Sequence, residues 1–341
     1  MRIVVDVSPL SHPRTGVGNY IRGSLRGLAG EDVVAFAPVS RAGRRNVEAA
    51  LEGIDVERVL PVLPAAHAVR TAWSRLGAPA VERFAGRLDV FHFSDWMYPR
   101  QRAGTRSTMI HDLVPLHHPE WVHARTKRMH GAKYLHAAAT CDVMIANSAY
   151  TADDVARTLG FPRERIHVAH PGVDPVYTHD GARADGDYVL AVGTLEPRKN
   201  LAVAIDAVRD RELRVVGAAG WGGVEARGEH VTWLGYPGDD EVARQYRGAA
   251  CFVYASRFEG FGMPIVEAMA CGAPVVASSH PSLDEASGDV AIRADPDDAD
   301  GVAAAIDEAI ARRDELVPRG LEHARRFTWE ANARAHLEAW S

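Results

Sequence analysis

The chain has 341 residues, of which 47% are hydrophobic and 25% charged, and its formal net charge is −6. This length predicts two domains, and the composition is typical of a soluble globular protein. No apolar run approaches the roughly 20 residues of a transmembrane helix. Met1 to Val7 is predicted to be a strand and not a signal peptide.

The three cysteines are odd in number and embedded in apolar segments: Cys141, Cys251 and Cys271. This pattern favours reduced core thiols and predicts a cytoplasmic protein, with a catalytic cysteine as the alternative. No H-E-x-x-H or Cys/His pair with zinc spacing occurs, so we expect no metal site.

The charges are unevenly divided between the two halves. Residues 1–173 carry 22 basic and 16 acidic residues, whereas residues 174–341 carry 17 and 29. The first half is therefore suited to an anionic ligand or a membrane surface.

Arg2 to Val7 reads as a buried strand, followed by a short loop with Gly16 and Gly18 before a predicted helix, Tyr20 to Leu28. Glycines at such a junction let backbone N–H groups approach an anion. The dinucleotide-binding fingerprint G-x-G-x-x-G is not matched, because Ile21 stands where its third glycine would be. The alternative to an anion-binding loop is a plain turn.

Polar clusters follow two of the next predicted strands, Leu88 to Phe93 and Thr108 to Ile110. Two further strands are predicted at Val33 to Ala37 and Val143 to Ala146. All four predicted strands alternate with helical patterns, as in a parallel α/β sheet. Loops at strand ends are the expected place for substrate contact. The candidate residues are Asp95, Trp96 and Tyr98 in the first cluster and His111 in the second. For His111, a backbone hydrogen bond that closes the strand is the alternative.

The segment Trp121 to Thr140 contains Arg125, Lys127, Arg128 and Lys133 and no acidic residue. We interpret it first as a solvated helix face. The alternatives are a surface for an anionic acceptor and contact with membrane headgroups.

In the second half, Arg198 and Lys199 stand between a strand, Tyr188 to Val192, and a helix that begins near Leu201. Two cationic side chains and the positive end of a helix can converge there on a pyrophosphate. The loop around Tyr236 follows a later predicted strand, so it is a further candidate for ligand contact. The alternative interpretation is a structural turn with a helix cap.

The stretch from Ala249 to Ala277 reads as strand, Gly-rich loop, helix and strand, with Glu259 in the loop and Glu267 in the first turns of the helix. Two carboxylates at this spacing can face one crevice at the carboxyl end of a parallel sheet. Ionised carboxylates accept hydrogen bonds from vicinal hydroxyls, so a hydroxyl-rich ligand is expected.

This stretch resembles the E-x7-E signature of retaining family 4 glycosyltransferases of the GT-B fold, with Glu259 and Glu267 at the two Glu positions. The segment Gly193 to Asn200 is similar to the family's Gly-x5-Arg-Lys-Asn segment, and His111 stands at the family's His position. The resemblance implies an α/β protein of two facing Rossmann-like domains with parallel sheets and an interdomain cleft. The boundaries implied are 1–177, 178–326 and a C-terminal helix, 327–341, that returns to the first domain.

The resemblance also implies roles for the site residues. The donor is a nucleoside diphosphate sugar of UDP or GDP type, without a further cofactor or a metal. Arg198 and Lys199 stabilise the departing diphosphate, and backbone groups near Tyr236 border the nucleobase. Further donor contacts are assigned to Gly16, Gly18, Phe261, Gly262 and Met263 (diphosphate cradle), Glu267 (ribose diol), and Glu259 and His111 (sugar hydroxyls).

The function implied is metal-independent, retaining transfer of a sugar to a hydroxyl of an oligosaccharide, a natural product or an envelope glycan. The composition, rich in Ala, Gly and Arg, hints at a GC-rich bacterial source, in which antibiotic and polysaccharide biosynthesis both supply such acceptors. We expect no nucleic-acid partner. A nucleotide-sugar epimerase of the same fold and a non-catalytic binding subunit are the alternatives.

Overall fold

The computed structural model describes residues 1–13, 15–94, 98–217 and 228–341. The chain divides into a first unit, Met1–Gly172 with Trp329–Ser341, and a second unit, Val173–Thr328. The sequence placed these boundaries at 177 and 327. The chain joins the second unit earlier because Val173 N donates to Phe327 O at 3.0 Å and Tyr177 is buried in that unit's core.

The first unit is built on a parallel sheet. Its strands are β1 (Ile3–Asp6), β2 (Val33–Phe36), β3 (Glu57–Val59), β4 (Val90–Phe93), β5 (Thr105–Ile110), β6 (Val143–Ala146) and β7 (Ile166–Val168). Within the described residues these seven strands pair in the order β3-β2-β1-β4-β5-β6-β7. The residues of β1, β2, β4, β5 and β6 are nearly all buried, as expected for a parallel sheet covered on both faces. Four of these strands are mainly apolar, whereas β5 buries the polar residues Arg106, Ser107 and Thr108.

Helices of the first unit connect these strands. They are α1 (Gly16–Gly27), α2 (Arg41–Ala50), α3 (Ala66–Leu76), α4 (Glu82–Ala85), α5 (Val114–His117), α6 (Ala124–Thr140) and α7 (Ala149–Leu159). Short 3-10 turns lie at Ser8–Ser11, Pro119–Trp121 and Arg163–Arg165.

The second unit repeats this architecture. Its strands are β8 (Tyr188–Val192), β9 (Glu212–Val216), β10 (Val231–Gly235), β11 (Cys251–Tyr254), β12 (Val275–Ser278) and β13 (Ile292–Ala294). The described part of the sheet has the order β10-β9-β8-β11-β12-β13. The helices are α8 (Leu201–Ala207), α9 (Asp239–Gly248), α10 (Met263–Ala270), α11 (Asp284–Ser287), α12 (Ala299–Ala311) and α13 (Arg313–Ala324), with a 3-10 turn at Pro281–Leu283.

Both sheets reverse their strand order once. The reversal lies between β1 and β4 in the first unit and between β8 and β11 in the second. The loops that leave the carboxyl ends of two such strands diverge, which opens a crevice between them. These two positions are therefore where each Rossmann-like unit is expected to bind a ligand.

The last helix, α14 (Trp329–Trp340), packs on α1 of the first unit. Asn332 Nδ2 donates to Tyr20 Oη at 2.9 Å and to His170 O at 2.8 Å, and Ser24 Oγ donates to Asn332 Oδ1 at 2.8 Å. Both tryptophans of α14 are buried, and Trp340 Nε1 donates to Ser107 Oγ. The helix is thus fixed to the first unit by apolar packing and buried polar contacts together.

The three cysteines are buried and reduced. Burial raises the pKa of each thiol to about 12, so they are inert as nucleophiles at neutral pH. Within the described residues, no helix is both long and apolar enough to cross a membrane.

The contact between α1 and α14 predicts a strong glycine requirement. A Cβ at Gly27 would lie 2.0 Å from the backbone oxygen of Trp329, so we expect Gly27→Ala to lower the free energy of unfolding by about 2 kcal/mol or more. A matched control is Gly131→Ala in α6, where a Cβ meets nothing within 4 Å and helix propensity rises. Urea unfolding of both variants measures the difference. Equal stabilities would contradict the described packing.

Candidate functional site

The principal candidate site lies at the strand-order reversal of the second unit. Arg198 and Lys199 belong to the loop after β8, and Glu259 belongs to the loop after β11. The fold therefore brings together two segments that are about sixty residues apart in sequence. The sequence predicted that both segments would contact the ligand, but it did not predict their contact with each other.

Glu259 is the centre of a buried polar cluster. Lys199 Nζ donates to Glu259 Oε1 at 2.6 Å and to Tyr254 Oη at 2.7 Å. Tyr254 Oη donates to Glu259 Oε1 at 2.9 Å. Arg198 Nη1 donates to Glu259 Oε2, and Arg198 Nη2 donates to Glu196 Oε1 at 2.9 Å. We call Glu196, Arg198, Lys199, Tyr254 and Glu259 the charge cluster.

The charge cluster contains two cations and two carboxylates, so its formal charges cancel. Burial alone would raise the pKa of Glu259, but the charges of Arg198 and Lys199 lower it to about 2. Burial lowers the pKa of the Lys199 ammonium, and the Glu259 carboxylate opposes that shift. The side chains of Arg198 and Lys199 remain 20% and 15% exposed. The cations can therefore meet a ligand from solvent.

Neighbouring groups hold the two loops in place. Asn200 adopts a left-handed backbone conformation with φ 52°, and its Nδ2 donates to Ala255 O and Pro296 O. The backbone N–H of Glu259 donates to Ser282 Oγ at 3.0 Å. These bonds give the charge cluster a fixed backbone frame before any ligand binds.

Helix α10 begins directly after the second loop. Gly262 precedes it with φ 102°, and a Cβ there would lie 2.8 Å from Leu283, so only glycine suits this position. Met263 opens the helix half-buried. The Phe261 ring is buried against Phe327 at 5.2 Å between centroids. Phe261 therefore offers a ligand its backbone and not its ring.

Two further predicted site residues of the second unit, Glu267 and Tyr236, are not part of the charge cluster. Glu267 is in the second turn of α10 and is 8% exposed, and Tyr246 Oη donates to its Oε2 at 3.4 Å. Tyr236 follows β10, is 71% exposed, and its hydroxyl lies 3.2 Å from Thr194 Oγ1. The exposed Tyr236 ring leaves this loop accessible to a flat ligand group.

The glycine-containing segment of the first unit differs from its prediction. Gly16 and Gly18 lie in the first turn of α1 and not in a loop before the helix. The helix begins early because Thr15 caps it, with Oγ1 accepting a hydrogen bond from Gly18 N at 3.2 Å. The prediction of a loop was therefore wrong.

His111 follows β5 and is neutral. Burial and the nearby charge of Lys133 lower its pKa to about 3. Its ring meets the Tyr20 ring edge-on at 5.1 Å between centroids. His111 Nε2 is buried without a hydrogen-bond partner among the described residues. Such a nitrogen is suited to a hydrogen bond with a ligand hydroxyl.

The remaining candidates of the first unit have mixed outcomes. Asp95 and Trp96 lie outside the described residues. The Tyr98 ring stacks on His136 at 4.3 Å between centroids, which gives it a packing role. In the basic segment Lys133 is buried and donates to Ser94 O and Met109 O, so the interpretation as a solvated face was wrong for this residue. The exposed cations of the segment are Arg125, Lys127 and Arg128.

Sequence reasoning missed Glu196, Tyr254 and Ser282 as site residues. Glu196 lies two positions before Arg198, and Tyr254 ends β11, so their positions at strand ends were a usable signal. The bond between Ser282 and Glu259 depends on tertiary structure alone. Within the described residues, no group of three or more His, Cys, Asp or Glu side chains could hold a metal ion.

Comparisons with known proteins agree with this geometry. The family model "Glycosyltransferase Family 4" matches residues 14–177, and the model "Glycosyl transferases group 1" matches residues 186–312. The chain is 28% identical to O-antigen chain mannosyltransferase B of Escherichia coli, over 97% of each chain. It is 29% identical to a D-inositol 3-phosphate glycosyltransferase of Xylanimonas cellulosilytica, over 99% of this chain and 95% of that one.

Solved structures share the fold. Anabaena HepE in complex with UDP and glucose aligns with a TM-score of 0.72 at 18% identity, over 99% of this chain and 98% of that one. Sucrose-phosphate synthase from Thermosynechococcus elongatus aligns with a TM-score of 0.71 at 18% identity and the same coverage. The two family models together span most of the chain, and the relatives aligned over nearly its whole length agree with them, so the chain belongs to the family 4 glycosyltransferases, and its fold is the GT-B fold.

Proposed function

We propose that the protein transfers a sugar from a nucleoside diphosphate sugar, of UDP or GDP type, to an acceptor hydroxyl with retention of configuration and without a metal. The observation that carries this proposal is the charge cluster at the strand-order reversal of the second unit. Two partly exposed cations in a rigid frame are suited to the leaving diphosphate. The complex of Anabaena HepE with UDP and glucose supports a UDP-type donor.

In this mechanism, the bond between the sugar and the diphosphate breaks, and its electron pair goes to the diphosphate. The acceptor hydroxyl attacks the same face of the sugar, and its proton passes to an oxygen of the leaving phosphate. Arg198 and Lys199 stabilise the charge that develops on the diphosphate. The N-terminal amides near Gly16 and those of Phe261 to Met263 complete the diphosphate cradle in this proposal.

Glu259 has two successive roles in the proposal. Without the donor, its carboxylate neutralises Arg198 and Lys199 and keeps them in position. With the donor bound, the diphosphate takes over part of that neutralisation, and the carboxylate accepts hydrogen bonds from sugar hydroxyls. Lys199 Nζ has three N–H groups and two described acceptors, so it can add a phosphate oxygen.

Three further residues complete the proposed donor site. Glu267 accepts hydrogen bonds from the ribose diol, and backbone groups near Tyr236 border the nucleobase. The neutral His111 supplies Nε2 to a sugar hydroxyl, because this buried nitrogen has no described partner. Asp95, Trp96 and Tyr98 stay proposed acceptor contacts, with Tyr98 limited by its stacking on His136.

The acceptor in the proposal is a carbohydrate or a natural product. The full-length similarity to an O-antigen chain mannosyltransferase supports an envelope glycan and a mannosyl donor. The basic balance of residues 1–173 supports an anionic acceptor and peripheral contact with a membrane surface. The buried reduced thiols support a cytoplasmic location.

A panel of UDP and GDP sugars, incubated with and without acceptors, tests the function. Release of nucleoside diphosphate that depends on an acceptor, with an α-configured product from an α-configured donor, is the expected result. Conversion of the nucleotide sugar without an acceptor would identify an epimerase instead. Binding of nucleotide without any turnover would identify a non-catalytic subunit.

We expect Arg198→Ala and Lys199→Ala to lower turnover. Each loses a charge-assisted contact that strengthens toward the transition state, at a cost of about 2 to 4 kcal/mol, or roughly 30- to 1,000-fold in rate. The control is Arg209→Ala, which removes an exposed arginine paired with Asp300. Steady-state rates, with melting temperatures to confirm folding, make the comparison. Unchanged rates in both site variants would contradict the assigned role.

We also expect activity to survive a chelator, because the cationic pair can do the work of a divalent ion at the diphosphate. Turnover with and without EDTA measures this. Loss of activity with EDTA, followed by recovery on adding magnesium or manganese, would show that a metal is required.

The two carboxylates should differ in their effects on binding. Glu267→Gln should weaken binding of the free nucleoside diphosphate by about 10-fold, because the ribose diol loses a charged acceptor. Glu259→Gln should leave that affinity unchanged or raise it, since Arg198 and Lys199 lose a competing carboxylate, while turnover falls. Calorimetry with the diphosphate decides. A larger loss for Glu259→Gln than for Glu267→Gln would reverse the two roles.

A further inference from the structure

Two buried polar atoms at neighbouring strand ends of the first unit have no hydrogen-bond partner among the described residues. They are Nε2 of His111, which follows β5, and Oδ1 of Asn147, which follows β6. The residues directly before them, Ile110 and Ala146, are register partners in the parallel sheet. Because adjacent strands lie about 4.8 Å apart, His111 and Asn147 leave the sheet side by side. They do so at its carboxyl edge, where parallel α/β sheets bind their ligands.

The chemistry of these two atoms indicates what binds them. Asn147 is 8% exposed, and leaving a buried acceptor unpaired destabilises a fold. The great majority of buried polar groups are paired with protein or ordered water, so two unpaired atoms at adjacent strand ends indicate a partner that both of them share. The Asn147 amide is uncharged, and the lowered pKa of His111 keeps its ring neutral. Two neutral groups suit a hydroxyl better than a phosphate.

The backbone around both residues is fixed by the fold. Helix α6 holds the chain on either side of His111: Lys133 Nζ donates to the carbonyl oxygen two residues before it at 2.9 Å, and Tyr134 Oη donates to the carbonyl oxygen of the next residue at 3.0 Å. The carbonyl oxygen directly before Asn147 accepts a hydrogen bond from Ala169 N at 2.8 Å. Groups in so rigid a frame are prearranged for a ligand.

We propose that Asn147 is a specificity-determining residue that acts with His111, and that the pair binds one hydroxyl of the transferred sugar. His111 carries its proton on Nε2 and donates it to the hydroxyl oxygen, while the hydroxyl donates its own hydrogen to Asn147 Oδ1. A sugar that lacks this hydroxyl leaves both buried atoms unpaired and is rejected. This inference rests on the proposed function, in which His111 contacts the sugar, and adds to it a second residue.

The test removes one sugar hydroxyl at a time. The substrates are the nucleotide sugar with the highest kcat/KM in the panel of UDP and GDP sugars and its monodeoxy analogues. The proteins are the wild type and Asn147→Leu, which keeps a branched side chain and loses both polar atoms. We expect one deoxy position to cost the wild type about 100-fold or more in kcat/KM and the variant less than about 10-fold, because only His111 then contacts the hydroxyl.

Ser148→Ala is the matched control. Ser148 Oγ caps α7 by accepting a hydrogen bond from Thr151 N at 3.0 Å, so its removal weakens the same strand end and leaves the two unpaired atoms in place. This variant should have a lower melting temperature and the wild-type preference for the full sugar over its deoxy analogue. If Asn147→Leu fails to fold, Asn147→Ala takes its place in the comparison.

Wild-type preferences at every hydroxyl in the Asn147 variant would overturn the inference and would indicate that an ordered water joins the two atoms. Equal losses of preference in the Asn147 variant and Ser148→Ala would also overturn it, because a general weakening of the strand end would then be the cause. An active wild type with either result refutes this inference alone. A wild type that turns over no nucleotide sugar refutes the proposed function and the inference with it.

Discussion

The second unit depends on one interaction, the burial of the Glu259 carboxylate between Arg198, Lys199 and Tyr254. A buried carboxylate without partners would be protonated or would destabilise the fold. The two cations instead lower its pKa to about 2 and keep it ionised. The same contact joins the loops after β8 and β11, so the crevice at the strand-order reversal has a fixed shape. A site of this kind is already arranged around a negative charge before a diphosphate arrives.

The polar groups at the two candidate positions are buried in different ways. In the second unit, Glu259 is paired with opposite charges, whereas in the first unit the histidines buried around His111 are neutral. Burial lowers the pKa of His92 well below its usual value and those of His111 and His336 to about 3 and 4. Burial is the main cause, and the charge of Lys133 further disfavours protonation of His92 and His111. His111 therefore offers a hydrogen bond whose character stays the same across physiological pH, which suits recognition of a hydroxyl.

The sequence predicted the strands that are long and apolar and the motifs at their ends, but not the short elements or the tertiary contacts. β3, β7 and β13 have three residues each, which is too short for a periodic pattern. The start of α1 was missed because glycines weaken a helix prediction, and the cap at Thr15 outweighs them here. The bonds of Glu259 to Tyr254 and Ser282 depend on how the strands and turns pack.

Net charge is a poor guide to the position of the anion site that we propose for this protein. Residues 174–341 carry 29 acidic and 17 basic residues, yet the group best suited to a diphosphate lies among them. Surface charges act over a screening length of about 8 Å at physiological ionic strength, so most of these carboxylates have little effect on a diphosphate at the donor site that we propose around Arg198 and Lys199. In that proposal, short-range contacts in a partly buried frame determine the binding, and not the net charge of the unit.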